Sequence, residues 1–497
     1  MVGTIAAMPN PPVEAYLGLR GRPLVYAITF ACSLGFLLFG YDNGVFSGLT
    51  TDPTFLAQLS NPNSTLLGFI VAVYELGCLL GALVCACWGE KFGRKTICSA
   101  GSTVLILGTI VQATSYGRVQ MIVGRVVTGV GMGFITSAVP IYQAETTVAH
   151  SRGRMIAVQL STLIVGIVIA YWIDYGMSLR PSSIQWRFPI AFQIVFALGL
   201  IAMCNVLPES PRWLSAHGRS EEALQVLSSL RNALPTSQLV SAEFQDIQNA
   251  VALEAAATGS WKDVFSHGGI MCWQRTMIAC TVQSIQQLTG TNMIVYYAPY
   301  FFFLVMSFLP WVLLDKVGRR RLFIFGGFGL GSCMLISAIL IKLGGRNNGI
   351  GAVVMLYIYQ GFFTVSWMSN MWCYPSEILP VRTRQRGGAL SVVFQWITTF
   401  LVVEITPPAI SNIGWRTYII FAVFNFANIF ISWYWFPETA GRTLESIDYL
   451  FADSNSVREV VLKSIRLRDE GRDAARQSEE ESEPGKTADV VEKVLDA

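Results

Sequence analysis

Charge is scarce in this 497-residue chain: Asp, Glu, Lys and Arg together make up 13% of it, where a soluble domain carries about 25%. That deficit points to lipid as the main solvent. The formal charge is only +3, and the basic residues are scattered among apolar stretches, so no nucleic-acid partner is expected. Histidine is nearly absent. His150, His217 and His267 stand apart and form no cluster with carboxylates, so no metal site, no cofactor and no enzyme are expected. Ten cysteines are dispersed, and Cys32, Cys78, Cys85, Cys87, Cys98 and Cys204 fall in apolar runs. Free thiols there behave as small hydrophobes, and no disulfide framework is indicated. The residues up to Arg22 hold Pro9, Pro11 and Pro12 but lack the basic, apolar and small-residue order of a cleavable leader, so the first apolar run is expected to act as an uncleaved anchor.

Apolar residues make up 53% of the chain. They recur in runs, several of which reach the roughly 20 residues that a spanning helix needs. Six spans fit at 24–48, 66–88, 96–115, 119–142, 155–176 and 188–207, followed by a polar stretch at 208–274. After it come 277–302, a weak 303–314, then 322–342, 351–374, 388–411 and 415–436. An all-α polytopic membrane protein is expected. Basic clusters at Arg20/Arg22, Lys91/Arg94/Lys95, Arg152/Arg154, Lys316/Arg319/Arg320/Arg321 and Arg382/Arg384/Arg386 lie on alternate connections, which places those connections, both termini and the central loop in the cytosol. The sequon Asn63-Ser64-Thr65 then falls in the first outward loop. In the central loop, Leu224, Leu227, Leu230 and Leu234 follow Ser220 at helical spacing, predicting short amphipathic helices capped at Ser220.

The organisation expected is a cytoplasmic N-terminus (1–23), a first membrane half (24–207), the central loop (208–274), a second half (277–437) and a cytoplasmic tail (438–497). The tail is rich in mixed charge and expected to be disordered from about 452.

Motifs repeat between the halves. Gly-Glu-Lys-Phe-Gly-Arg-Lys (89–95) is echoed by Leu-Asp-Lys-Val-Gly-Arg-Arg (314–320), PESPRWL (208–214) by PETAGRTLE (437–445), and Tyr-Gln-Ala-Glu before Arg152 by Tyr-Pro-Ser-Glu before Arg382. Two homologous halves follow, a recurrent plan among transporters, with the substrate site between them. With GRVVTGVGMG (124–133), QQLTGTN (286–292) and PSEILPVRTR (375–384), the set resembles the sugar porter family of the major facilitator superfamily over residues 24 to 450. AYWIDYG (170–176) and YPSEILP give it a fungal cast. The resemblance implies the major facilitator fold with two six-helix halves, and transport of a neutral sugar by alternating access. A multi-pass monomer in the plasma membrane is expected, with a sugar, a proton and the bilayer as partners. Facilitated transport and, from another class, sugar sensing without transport are the alternatives. Sensors resembling this family have much longer cytoplasmic tails.

A sugar ring offers hydroxyls that both donate and accept, which amides match, and a C–H face, which aromatic rings match. Gln286, Gln287 and Asn292, followed by Tyr296 and Tyr297, form the strongest candidate cluster. Hydrogen bonding between helices is the plain alternative for such amides; the resemblance favours sugar contact. It also implies sugar contact for Trp372 and Gln395, the latter beside Trp396. Two departures from the family pattern stand out. The fifth-span position where the family has a glutamine reads Leu160, with Gln159 beside it as the expected sugar contact on that span, and the Gly-Pro-x-Pro before the tenth-span Trp reads Met368-Ser369-Asn370-Met371. Both should alter hydroxyl recognition and helix bending.

Asp42 lies deep in the first span, where a charge is costly and a functional role is the default. Arg125 on the fourth span is its expected partner, and a rearrangement of the pair could bind or release a proton. Proton-coupled members of the family resemble this chain in having the aspartate. A static bridge between helices is the alternative. Glu75 and Glu404 are further intramembrane carboxylates, to which no role is given. Arg94, Lys95, Arg319 and Arg320 are expected to pair with Glu145, Glu209, Glu377 and Glu438 as cytoplasmic latches, a role that the resemblance supports and that is compatible with setting topology.

The halves differ in one respect. Gly40 and Gly290 occupy corresponding places, yet Gly93 follows Gly40 by 53 residues and Gly318 follows Gly290 by 28. The second interval is 25 residues short, about one span, and the deficit lies near 301–314. A truncated eighth helix is therefore expected, and a chain that is unstable or inactive as written.

Overall fold

In the computed structural model the chain is described over residues 16 and 18–468, except 148–151, 181, 257–260, 267–269, 296–304, 310–316, 369, 381–382, 441 and 443. Among these residues the structure is helical, with one isolated bridge between Tyr16 and Leu19 and no strand. Lipid offers nothing to satisfy a backbone N–H or C=O, so an apolar chain of this length has helices as its solution. Ten helices among the described residues are long and apolar enough to cross a membrane.

The first six spans are Arg22–Leu49, Ser64–Phe92, Arg94–Ala113, Arg118–Thr146, Arg152–Ser178 and Ile184–Val206. Short helices follow at Pro211–Ala216, Ser220–Arg231, Gln238–Ala256 and Trp261–Val264. The expected cap at Ser220 is not made: the helix starts on that residue, after Arg219. Asn63 of the sequon caps the second span instead, accepting from the Leu66 N–H at 2.8 Å.

In the second half, the seventh span runs over Cys272–Leu288, turns at Gly290 and resumes over Thr291–Val295. Numbered by correspondence with the first half, the ninth span is Arg319–Leu343, the eleventh Arg384–Ile413 and the twelfth Arg416–Trp435. The tenth is compound: Arg346–Phe363, a π-helical turn at Thr364–Met368, then Asn370–Ile378. Thr364 and Ser366 donate their hydroxyls to the carbonyls of Gln360 and Phe362, and Asn370 its amide to Ser366. Side chains competing for the helical ladder loosen it, and here a π turn does what prolines would otherwise do.

Packing repeats between the halves. The first span lies on the fifth as the seventh lies on the eleventh, the third on the fourth as the ninth on the tenth, and the third on the sixth as the ninth on the twelfth. The second span packs on the fourth and, across the halves, on the eleventh. The counterparts of those two contacts belong to an eighth span. Most of the stretch where it would lie, 296–304 and 310–316, is outside the described residues. Of the part that is described, Ser307 places its Oγ 3.1 Å from Ser161 Oγ on the fifth span.

The tail departs from expectation. A helix, Leu444–Ala452, is followed by a second over 457–468. Val460, Val461 and Ser464 of that second helix are buried, so the chain is ordered well past 452. Amphipathic spacing of those few apolar residues outweighs the surrounding charge.

Candidate functional site between the two halves

A cavity of about 130 Å³ lies where the halves meet. The first half brings Phe39, Asp42 and Asn43 from the first span, Glu75 from the second and Arg125 from the fourth. The second brings Gln286, Gln287, Thr291 and Asn292 from the seventh span, Trp372 from the tenth, and Gln395 and Trp396 from the eleventh. Residues separated by more than 300 positions thus share one chamber. Of the expected sugar-contacting residues, Gln286, Gln287, Asn292, Trp372 and Gln395 are gathered here. Tyr296 and Tyr297 lie outside the described residues.

The break in the seventh helix shapes the amide wall. A Cβ at Gly290 would strike Met334 and Phe421, so the turn sits hard against the ninth and twelfth spans and aims Asn292 back at Gln287. Asn292 Nδ2 donates to Gln287 Oε1 at 2.9 Å. Gln286 Oε1 and Gln395 Oε1, as acceptors, and Trp396 Nε1, as a donor, have no hydrogen-bond partner among the described residues. Hydroxyls satisfy such groups, since each O–H both gives and accepts. Two edge-to-face ring pairs cross the interface, Phe36 with Trp372 at 6.1 Å and Phe39 with Trp396 at 5.9 Å between centroids.

Gln159 does not join the site. It is fully buried, and its Nε2 donates to Gln143 Oε1 at 3.1 Å on the fourth span. The cavity face of the fifth span is Leu160, Leu163 and Ile167, a helical stripe whose centre is rotated by about 70° from position 159. The departure noted at Leu160 is therefore on the wall itself. Met368 and Met371 line the opposite side, at the altered tenth-span motif.

Sequence reasoning overlooked Phe39 and Thr399 as lining residues. Both were recoverable: Phe39 is three residues before Asp42 and Thr399 four after Gln395, spacings that share a helix face.

Asp42 and Arg125 are 0% and 3% exposed, and Arg125 Nη1 meets Asp42 Oδ2 at 2.9 Å. Arg125 Nη2 donates to the Val71 carbonyl at 2.9 Å, and its guanidinium lies over the rings of Phe46 and Tyr74 at 3.9 and 4.4 Å. The second and fourth spans touch closely beside it: a Cβ at Gly129 would run into the Tyr74 carbonyl and one at Gly77 into that of Val126.

The repeated motifs build the same bracket twice. Tyr142 donates to the Pro208 carbonyl at 2.5 Å and Tyr374 to that of Pro437 at 2.9 Å. Arg94 pairs with Glu145 at 3.1 Å and Arg319 with Glu377 at 3.0 Å. Gly93 and Gly318 have φ of 77° and 96°, which glycine alone adopts freely. The backbone N–H groups that follow them, of Arg94 and Arg319, reach Glu209 at 3.0 Å and Glu438 at 2.9 Å. Burial pushes the Glu209 carboxyl up from its ordinary value, and N–H groups of Ser210, Arg94 and Lys95 draw it back.

Two expected pairings are corrected. Lys95 sends its Nζ to the Leu207 carbonyl and Arg320 its Nη2 to that of Trp433; neither side chain takes a glutamate, because Glu209 and Glu438 are turned onto backbone N–H groups. The cation that does pair with Glu438 is Arg468, from the tail helix, at 2.6 Å. All these brackets join elements of the same half.

The chain matches the family described as "Sugar (and other) transporter" over residues 27–305 and 302–451. It is 36% identical over 472 residues to the sugar transporter STL1 of Saccharomyces cerevisiae, covering 88% of this chain and 83% of that one. It is 30% identical over 473 residues to the high-affinity glucose transporter of Kluyveromyces lactis, covering 86% and 85%. Among solved structures, the proton:xylose symporter XylE of E. coli, bound to 6-bromo-6-deoxy-D-glucose, superposes with a TM-score of 0.74 at 25% identity, over 86% of this chain and 99% of that one.

Proposed function

This chain belongs to the sugar porter family of the major facilitator superfamily, and from that premise we propose that it carries a neutral sugar through the chamber between its halves, driven by proton import. One observation supports this reading above the rest. The amides and tryptophans of the second half face the Asp42–Arg125 pair across a single cavity, so sugar occupancy and the state of the ion pair can influence each other directly. Gln286, Gln287, Asn292, Trp372 and Gln395 are the sugar-binding residues in this reading, and Asp42 with Arg125 is the proton-coupling pair. The brackets at Arg94–Glu145–Glu209 and Arg319–Glu377–Glu438 stiffen the cytoplasmic end of each half, so that each rocks as a body. The protein works as a monomer in the plasma membrane, with both termini in the cytosol.

The eighth span of this chain is shortened in the same reading. The family match breaks into two pieces that meet at 302–305, where the spacing of the halves differs, and the pairing of Ser307 with Ser161 occupies the fifth-span face that a full eighth helix would cover.

Uptake of labelled D-glucose and D-xylose in a transporter-null cell, with and without a protonophore, tests the function. It should be run on this chain and on a form whose eighth span is restored from the Saccharomyces relative. Accumulation abolished by the protonophore is expected. Uptake indifferent to it would make the protein a facilitator, and binding without uptake in both forms would make it a sensor.

A further inference from the structure

Glu75 has no part in the reading above, yet it lines the same cavity as Asp42 and Arg125. It is 5% exposed, and its Oε2 has no hydrogen-bond partner among the described residues. A carboxylate that merely braced helices would spend its oxygens on neighbours. The guanidinium of Arg125 is close at hand. Its Nη2 is bonded to the carbonyl of Val71, one helical turn before Glu75 and on the same face. Its other end holds Asp42. Arg125 therefore shares the cavity with two carboxylates and is the one cation among the described residues lining it.

One positive charge balances one negative charge. With both carboxylates ionised, a net negative charge would stand in a site walled by Phe39, Phe46, Val71 and Leu163, which is strongly disfavoured away from water. We propose that Glu75 is the second proton-holding carboxylate of the coupling site, exchanging Arg125 with Asp42. This rests on the proton-coupled reading above.

The exchange balances. A proton arrives on Asp42 Oδ2 and the bond to Arg125 breaks. The guanidinium turns to Glu75, whose carboxyl O–H gives its proton to water in the cavity. One proton is taken up and one released, and the charge of the chamber is unchanged. The groups facing Glu75 are Asp42 from the first span and Arg125 from the fourth, with Tyr74 and Cys78 on its own helix. The eleventh span, packed on the same helix, brings the main-chain carbonyl of Glu404 to Gly68, about two turns from Glu75.

Infrared spectroscopy of the purified full chain in lipid at pH 7 tests this without requiring transport. The carbonyl stretch of a protonated carboxyl should be present in the native chain and lost in Glu75→Gln. It should also be lost in Asp42→Asn, because Arg125, freed from its partner, turns to Glu75 and displaces the proton. Glu75→Asp should restore the band in shifted form, which separates loss of the proton from loss of the fold. Identical native and Glu75→Gln spectra would overturn the proposal, and so would a band that survives Asp42→Asn. Uptake indifferent to a protonophore would instead overturn the coupled reading, whatever the spectra show.

Discussion

Arg125 holds Asp42 at 2.9 Å in a place where neither side chain is more than 3% exposed. Burying two charges costs several kcal/mol each, and their attraction only offsets that while both are present. Arg125→Leu should therefore destabilise the chain by about 3–5 kcal/mol by leaving a carboxylate unpaired, read as a lowered thermal midpoint in detergent. Asp42→Asn leaves Arg125 free to turn to Glu75 and should cost less. In a form that accumulates sugar, Asp42→Asn should abolish accumulation against a gradient and leave exchange intact. Persistent accumulation would remove Asp42 from the coupling.

The amide wall gives a second test. Gln287→Ala and Asn292→Ala should each weaken sugar binding by about 1–3 kcal/mol by leaving hydroxyls unpaired. The two amides are bonded to each other at 2.9 Å, so their effects should not add: the double variant should lose less than the two single losses together. Trp372 and Trp396 line the chamber, so quenching of tryptophan emission by D-glucose or D-xylose reports the affinity. Unchanged affinity in both single variants would refute the assignment.

What could be read from the sequence is what helices repeat. Spans, halves, the brackets and the Gln287–Asn292 pair follow from run length, echoed motifs and residue spacing. The fifth span is apolar around most of its circumference, so its sequence carries little information about which side faces inward, and Gln159 was placed on the wrong one. The π turn at Thr364–Met368 depends on hydroxyl-to-carbonyl bonds of individual side chains, which composition does not reveal. Glu75 stood out as a buried carboxylate, but its nearness to Arg125 comes only from the packing of the second span on the fourth.

The tail helix yields a third prediction. Glu438 is 2% exposed and is shared by the Arg319 and Ala440 N–H groups and by Arg468. Arg468→Ala removes its only charged side-chain partner among these and should cost about 1–3 kcal/mol of stability. Arg219→Ala breaks a pair in which both side chains are about half exposed and should leave the thermal midpoint unchanged, because solvent screens it. Equal effects of the two variants would show that the tail helix does not brace the bracket.

The proposed shortening of the eighth span gives the last prediction. From Gly290 to Gly318 there are 25 residues fewer than between the corresponding glycines of the first half, and crossing a bilayer takes about 20. Arg275 and the basic residues at 319–321 should lie on one side of the membrane, which demands an even number of crossings between them. The residues available, less those of the seventh span, can barely supply a full return. In the proposed reading, the fifth-span stripe around Ser161 and the cavity face of the tenth would lack a neighbour, and the chamber one wall. A form carrying a full eighth span, taken from the native transcript or from a relative, should therefore unfold at a higher temperature and take up more sugar than the chain as written. A transcript that encodes this very chain, together with uptake and stability equal to the restored form, would show that the short connection suffices.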